Sequence, residues 1–248
     1  MMQLPESLLQ IPIAHRALHD RDNGVIENSI SAVRAAVRLG YGMELDLQLS
    51  ADGEAIVFHD DDLDRLTESS GPVHRKTAAE LNSIALRGSD DAPMTLQNIM
   101  DEIAGRVPVL LELKNQNGRD TGALERATAQ VLKIYSGPVA VMSFNPRMVA
   151  RLAELLPEIP RGLTTGTFEA EGLPEAIKDH LHAISDFDAV GACFVSHEAA
   201  ELNATRVAEL KRAGYPILTW TIRSEASEKE VRKIADNITF EGYLAAKP

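Results

Sequence analysis

Residues 43–59 run MELDLQLSADGEAIVFH and contain two predicted strands with different roles. In the first, Leu45 and Leu47 alternate with Glu44 and Asp46, so the leucines share one face of the strand and the carboxylates share the other. Asp-Gly at residues 52–53 favours a tight hairpin turn. A parallel neighbour would need a crossover of about a dozen residues. Residues 55–59 are therefore predicted to return antiparallel, outside the main sheet.

Outside this hairpin, short apolar runs alternate with amphipathic helical stretches. This order predicts a parallel sheet, and eight such units predict a closed (β/α)8 TIM barrel. The length of 248 residues fits a single barrel domain, 1–248. The eight runs are Ile11–His15, Met43–Leu49, Val109–Lys114, Val139–Phe144, Arg161–Thr165, Ala192–Ser196, Ile217–Ile222 and Ile238–Phe240. The helical stretches are Ser29–Leu39, Leu96–Ala104, Leu124–Ile134, Met148–Leu156, Leu202–Ala213 and Glu228–Ala235, with a weaker one in 169–185.

The segment 51–94 combines the hairpin with a stretch, 61–94, that has no strong periodicity. A connection of this length inside a compact domain is usually functional. We therefore expect a small insertion after the second strand, placed over the mouth of the barrel.

Composition narrows the class of protein. No apolar stretch approaches the roughly 20 residues that span a bilayer, and the N-terminus lacks the basic and apolar parts of a secretory signal. Cys193 is the only cysteine, which excludes an intrachain disulfide and favours a reducing compartment. These features predict a cytoplasmic protein without stable membrane insertion.

The chain carries 37 acidic and 25 basic residues, for a formal net charge of −12. This balance argues against nucleic acid or an anionic membrane as the main partner. An anionic small-molecule substrate would have to be held by a bound cation or by a few placed arginine and lysine side chains.

Carboxylates on two neighbouring strands predict a metal site. Glu44 and Asp46 would face the barrel interior, where two like charges repel each other and lose hydration unless a cation binds. Glu112 and Lys114 repeat the pattern at the end of the next barrel strand, where active sites of such barrels lie. Three carboxylates favour a hard divalent cation, Mg²⁺ or Ca²⁺. The alternative is a solvated acidic face with a simple Glu112–Lys114 contact.

His15 and His59 end the first strand and the hairpin, and a histidine near such a site can donate or accept a proton at neutral pH. Arg16 offers a forked donor for phosphate. The alternative for His15 and His59 is a purely structural role, and the alternative for Arg16 is an ordinary salt bridge. The remaining histidines lack a comparable context and are expected at the surface or in packing: His19, His74, His180, His182 and His197.

Taken in order, these motifs resemble the glycerophosphodiester phosphodiesterase family from about residue 13 to about residue 244. The residues that carry the resemblance are His15-Arg16, Glu27-Asn28-Ser29, Glu44-Leu45-Asp46, Asp52-Gly53, His59-Asp60, Asp64-Arg65, Glu112-Leu113-Lys114, Ser143-Phe144 and Trp220-Thr221. The family's barrel also carries a small insertion after its second strand.

The resemblance implies a role for each matching residue. It implies Glu44, Asp46 and Glu112 as ligands of Ca²⁺ or Mg²⁺, and His15 and His59 as an acid–base pair. It also places Arg16 and Lys114 near the phosphate, Trp220 in the pocket lining, and Glu27 as a candidate contributor to the metal site. For Trp220, the alternative is a buried barrel residue.

The sequence departs from the family pattern at the pocket rim. Ala17 replaces a glycine, Arg223 stands where asparagine is common, and Thr239-Phe240-Glu241-Gly242 stands where Thr-Asp-Tyr-Pro is usual. These departures concern the choice of substrate more than the chemistry.

The implied reaction is metal-dependent hydrolysis of a glycerophosphodiester to sn-glycerol 3-phosphate and an alcohol. Since no Gly-x-Ser-x-Gly elbow is present and Cys193 has no nearby candidate base in the sequence, the nucleophile would be water at the metal or the substrate's own glycerol hydroxyl. The second route would pass through a cyclic phosphate. The alternatives are a lysophospholipase D-like enzyme acting on lipids and a catalytically silent barrel that binds phosphodiesters.

Overall fold

The computed structural model describes residues 2–117, 119, 121–168 and 173–248. Eight parallel strands close into a barrel, because the first strand pairs with both the second and the last. The barrel strands are β1 (Ile13–Ala14), β2 (Gly42–Leu49), β5 (Val109–Leu113), β6 (Val139–Ser143), β7 (Arg161–Thr165), β8 (Phe194–Glu198), β9 (Ile217–Ile222) and β10 (Asn237–Phe240). The predicted (β/α)8 TIM barrel is confirmed.

Helices lie between the barrel strands, as the alternating pattern predicts. The described helices are α1 (Glu6–Gln10), α2 (Ile30–Leu39), α3 (Ala78–Asn82), α4 (Leu96–Ile103), α5 (Ala123–Leu132), α6 (Pro146–Leu155), α7 (Glu175–His182), α8 (Thr205–Arg212) and α9 (Glu225–Val231). The weaker helix predicted in 169–185 corresponds to α7, although residues 169–172 lie outside the described part of the chain. Among the described residues, no helix is both long and apolar enough to cross a membrane.

Helix ends differ from the predicted ones where local capping decides them. The last helix begins earlier than its apolar pattern suggests, because the Ser224 hydroxyl accepts a hydrogen bond from the Ser227 amide and caps it at residue 224. The eighth helix begins at Thr205 rather than near Leu202, because residues 199–201 form a separate 3₁₀ turn.

The strand alternation divides the barrel strands into two layers. Leu45 and Leu47 lie in a buried cluster with apolar residues of the surrounding helices, among them Ile99. A second buried cluster contains Ile13 and Phe194 of the strands together with Leu4, Leu8, Leu110, Ala140, Met142, Cys193 and Leu218. The leucines of β2 therefore pack outward, and its carboxylates face the barrel interior.

The hairpin predicted from Asp-Gly is present. Strand β3 (Ala55–Val57) runs antiparallel to the end of β2, with Leu47 opposite Val57, and a two-residue strand, β4 (Met94–Thr95), pairs with β3. The segment between β3 and β4 packs into a small separate buried cluster together with Ile26, which precedes α2, and Ile56 of β3; the residues of the segment in this cluster are Phe58, Leu63, Leu66, Val73, Leu81 and Leu86. The sequence did not predict β4, whose two residues are too few to show a period.

Candidate active site

Three carboxylates of β2 and β5 meet inside the barrel. Asp46 lies opposite Glu112 in the register of the two strands, and Glu44 precedes Asp46 on the same face. One oxygen from each lies within 4.8 Å of the others, and all three side chains are buried. Burial, followed by the charges of Asp46 and Glu112, raises the pKa of Glu44 well above its usual value.

Two cationic side chains border this cluster. Lys114 Nζ lies 2.8 Å from Glu112 Oε1 and 3.4 Å from Asp46 Oδ1. Arg16 Nε lies 3.6 Å from Asp46 Oδ2, and the Arg16 amide donates a 2.9 Å hydrogen bond to Glu44 Oε2. Burial opposes ionisation of Asp46, but nearby positive charge, above all that of Lys114, holds its pKa well below the usual value.

The three carboxylates fit a hard divalent cation. They form an all-oxygen donor set, the kind that Mg²⁺ and Ca²⁺ prefer. Burial and, after it, the negative charges of Asp46 and Glu112 raise the pKa of Glu44, and a bound cation would offset both effects. Glu27 lies outside this cluster. Its carboxylate accepts hydrogen bonds from Arg16 at 2.7 Å and from Arg65 at 2.7 and 2.9 Å. Glu27 therefore pairs with two arginines and is not one of the three clustered carboxylates.

Both predicted catalytic histidines line the same pocket as the carboxylates. His15 Nδ1 lies 2.5 Å from Glu241 Oε2, and His59 Nδ1 lies 2.7 Å from Asp60 Oδ1. In each ring, Nδ1 therefore faces a carboxylate, and Nε2 is the nitrogen left for the pocket.

The pocket has a volume of about 180 Å³ and two unlike sides. Its charged side carries the carboxylates, Arg16 and Lys114. Its opposite side carries Met142, Phe144 and Trp220, with the rings of Phe144 and Trp220 packed edge to face at 5.6 Å. The structure thus places Trp220 in the pocket lining, half-exposed, with its indole Nε1 donating to the Ser196 carbonyl oxygen at 3.1 Å.

Two residues of the site were missed by the sequence-based prediction. Asp60 was noted only as part of a motif, although its place directly after His59 is a local signal for a partner. Glu241 had no such signal, because it lies 226 residues from His15 in the chain. The two meet because β1 and β10 are neighbours in the closed barrel, where the His15 amide donates to the Phe240 carbonyl oxygen at 2.8 Å.

Four of the other five histidines fall into three groups. His180 and His182 form exposed ion pairs with Asp186 and Glu201, in agreement with a surface role. His197 is buried and lies 2.7 Å from Thr165 Oγ1. His19 is closer to the site than expected, because its Nε2 lies 3.7 Å from Glu241 Oε2.

Comparison with known proteins agrees with this geometry. The model of the glycerophosphoryl diester phosphodiesterase family matches residues 15–237. YhdW of Bacillus subtilis is 28% identical over 216 residues, which cover 83% of this chain and 84% of that protein. A glycerophosphodiester phosphodiesterase of Caldanaerobacter subterraneus subsp. tengcongensis is 27% identical over 237 residues, 91% of each chain.

A solved structure shows the same fold. The phosphodiesterase of Oleispira antarctica, determined in complex with the product sn-glycerol-3-phosphate, superposes with a TM-score of 0.80 at 25% identity, covering 96% of this chain and 95% of that one. With a family match that spans most of the sequence, this chain belongs to the glycerophosphoryl diester phosphodiesterase family and is a phosphoric diester hydrolase.

Proposed function

We propose that this chain, folded as a single catalytic domain, hydrolyses small glycerophosphodiesters to sn-glycerol 3-phosphate and an alcohol. The observation that carries the proposal is the cluster of Glu44, Asp46 and Glu112 in one pocket with His15 and His59. The product bound to the related Oleispira antarctica enzyme supports this choice of substrate.

The cation-binding residues in this proposal are Glu44, Asp46 and Glu112, with Mg²⁺ or Ca²⁺ as the ion. When bound, the cation would act as a Lewis acid that offsets negative charge on the phosphate. Arg16 and Lys114 add protein charge to the same side of the pocket, and the forked guanidinium of Arg16 matches two phosphate oxygens. Local positive charge in this form allows an acidic protein to hold an anionic substrate.

His15 and His59 are proposed to move the protons. With Nδ1 facing a carboxylate, each ring has its Nε2 available to take a proton from the attacking oxygen or to give one to the leaving alkoxide. The arrangement of the two rings around one pocket allows them to exchange acid and base roles between two successive steps.

The proposed nucleophile is the glycerol 2-hydroxyl of the substrate. Cys193 is an unsuitable nucleophile because it is buried in the apolar cluster of the barrel interior, and burial raises the pKa of its thiol. The hydroxyl oxygen would attack phosphorus, the bond from phosphorus to the alcohol would break, and water would open the resulting cyclic phosphate. Well-oriented intramolecular attack can reach effective molarities of about 10⁵ M or more.

The first experiment measures turnover of glycerophosphocholine after exhaustive chelation and again after addition of Mg²⁺ or Ca²⁺. Activity should disappear on chelation and return with either or both cations. Full activity without a cation would contradict the metal-dependent mechanism. Lysophosphatidylcholine in a parallel assay tests the alternative of a lipid substrate. The structure does not favour this alternative, because the pocket lining includes none of the large exposed apolar residues among those described, which are Leu39, Ile134, Ile177 and Leu244.

The second experiment uses an analogue in which hydrogen replaces the glycerol 2-hydroxyl. If the substrate supplies the nucleophile, the analogue should bind with similar affinity and turn over far more slowly. Hydrolysis at the normal rate would exclude the cyclic route and leave water as the direct nucleophile.

A further inference from the structure

The two histidines of the pocket are supported in the same way by unrelated segments of the chain. Behind His15, Glu241 accepts from the ring through Oε2 at 2.5 Å. The other oxygen of Glu241, Oε1, lies 2.8 Å from Nε and 2.7 Å from a terminal nitrogen of Arg223. His15, Glu241 and Arg223 thus form one hydrogen-bonded network from the pocket to its rim.

Behind His59 the order of groups is the same. Asp60 accepts from the ring through Oδ1 at 2.7 Å, and Arg65 donates to Asp60 Oδ2 at 2.6 Å through Nε and to Oδ1 at 3.0 Å through a terminal nitrogen. Arg65 also pairs with Glu27, which in turn binds Arg16. This second hydrogen-bonded network therefore ends on Arg16, the arginine proposed to hold the phosphate.

Such a hydrogen-bonded network determines which nitrogen of the histidine ring carries the proton. An ionised carboxylate accepts hydrogen bonds but donates none, so a neutral histidine in contact with it must carry its proton on Nδ1. The arginines keep the carboxylates in that state and fix their rotamers. The interaction with His15 is the main reason that the pKa of Glu241 lies well below its usual value, followed by that with His19, whose Nε2 lies 3.7 Å from the same Oε2, and the charge of Arg223 lowers the pKa further.

We propose that Glu241 and Asp60 are positioning residues that hold His15 and His59 in the tautomer with a free Nε2, and that Arg223 and Arg65 orient these two carboxylates. The inference rests on the proposed function, since it gives both histidines the form required for proton transfer.

The separate oxygens of Glu241 allow a sharp test. In a Glu241→Gln variant, Arg223 can only donate, so the amide oxygen should stay with Arg223 and the amide nitrogen should turn toward His15. The nitrogen would then donate to Nδ1 and move the ring proton to Nε2. His15 would keep its place in the pocket but lose its ability to accept a proton there.

The decisive measurement is the tautomer of His15, obtained from long-range ¹H–¹⁵N NMR at a pH where the ring is neutral, with the His15 signals assigned by their loss in His15→Gln. The wild type should show protonated Nδ1, and Glu241→Gln should show protonated Nε2. The same substitution should lower kcat by about 10²- to 10⁴-fold, with KM nearly unchanged.

A double variant, Glu241→Gln with Arg223→Met, tests the part played by arginine. Without Arg223 the amide can rotate, and its oxygen can again accept from Nδ1. The Nδ1-protonated form should therefore return, and kcat should rise at least about tenfold above that of the single variant. A loss caused only by structural damage would deepen with the second substitution, and that result would overturn the proposal.

Glu201→Gln is the matched control, because Glu201 also lies 2.5 Å from a histidine, His182, but in an exposed pair apart from the pocket. It should leave kcat unchanged. An unchanged Nδ1-protonated ring in Glu241→Gln would overturn the proposal even if no phosphodiester were hydrolysed, so its failure is separable from failure of the proposed function.

Discussion

Glu44 is the carboxyl group whose ionisation depends most directly on the presence of a cation. It is buried near Asp46 and Glu112, and burial together with the charges of these two residues raises its pKa well above the usual value. Without a cation Glu44 therefore keeps its proton to a higher pH than an ordinary glutamate. Binding of a divalent cation requires the ionised form, so binding should release a proton.

This coupling predicts that cation affinity keeps rising with pH above the range in which an ordinary glutamate has already lost its proton. The sign follows from the raised pKa, since increasing pH removes the proton that competes with the cation. Titration calorimetry with Mg²⁺ or Ca²⁺, in two buffers of different protonation enthalpy, gives the number of protons released. Glu44→Gln should bind more weakly and show a flatter pH dependence. Binding of the wild type without proton release would contradict the expectation.

The histidines give a second prediction at this scale. His15→Ala and His59→Ala should each lower kcat by about 10²- to 10⁴-fold, the usual contribution of general acid–base catalysis. His180→Ala is the appropriate control, because its ring is exposed. His197 would serve poorly, since it is buried against Thr165 and its removal would affect packing. Near-normal kcat in His59→Ala would remove that residue from the mechanism.

At the scale of elements, a residue of the short insertion core directly precedes one of the two histidines proposed to be catalytic. Phe58 is 2% exposed and belongs to the apolar cluster of the insertion, and His59 follows it directly. The Phe58 amide donates to the Asp46 carbonyl oxygen at 3.0 Å, which ties this segment to the strand that bears two of the carboxylates. Packing of one aromatic ring thus fixes the position of His59 relative to the carboxylate cluster.

Phe58→Ala should therefore affect both stability and catalysis. Removal of a fully buried aromatic side chain costs about 3–5 kcal/mol of unfolding free energy, and loosening of the segment should lower kcat as well. Urea denaturation and steady-state kinetics measure the two effects. Ile134→Ala, which removes a side chain that is 73% exposed, should change neither. A destabilised Phe58→Ala enzyme with normal kcat would show that His59 is held by other contacts.

The elements that could be predicted from the sequence are those with a simple period. Alternation in β2 correctly assigned its leucines to the outer layer and its carboxylates to the interior, and Asp-Gly correctly marked the hairpin. The insertion core could not be predicted, because Phe58, Leu63 and Leu81 follow neither a helical nor a strand period and become neighbours only through the turns between them.

At the scale of the whole molecule, closure of the barrel creates contacts between the two ends of the chain that sequence patterns cannot predict. Asp46 and Glu112 are register partners on neighbouring parallel strands, and His15 directly follows the first strand, so strand order and side-chain alternation were enough to predict that they share one site. Glu241 reaches His15 only because the last strand pairs with the first. Pairing of distant segments of this kind has no local signature in a single sequence.

The net charge of −12 also acts at this scale and gives the last prediction. A phosphodiester with a neutral alcohol carries a net negative charge, so the protein's overall field opposes its approach, whereas glycerophosphocholine is a zwitterion with no net charge. Salt should weaken this repulsion, because the Debye length falls from about 30 Å at 0.01 M to about 8 Å at 0.15 M. Over this range kcat/KM for glycerophosphoglycerol should rise roughly two- to tenfold, while that for glycerophosphocholine should change little. The cation must be kept saturating so that its occupancy does not vary with salt. A fall in kcat/KM for the anionic substrate would show instead that Arg16 and Lys114 dominate the field that the substrate meets.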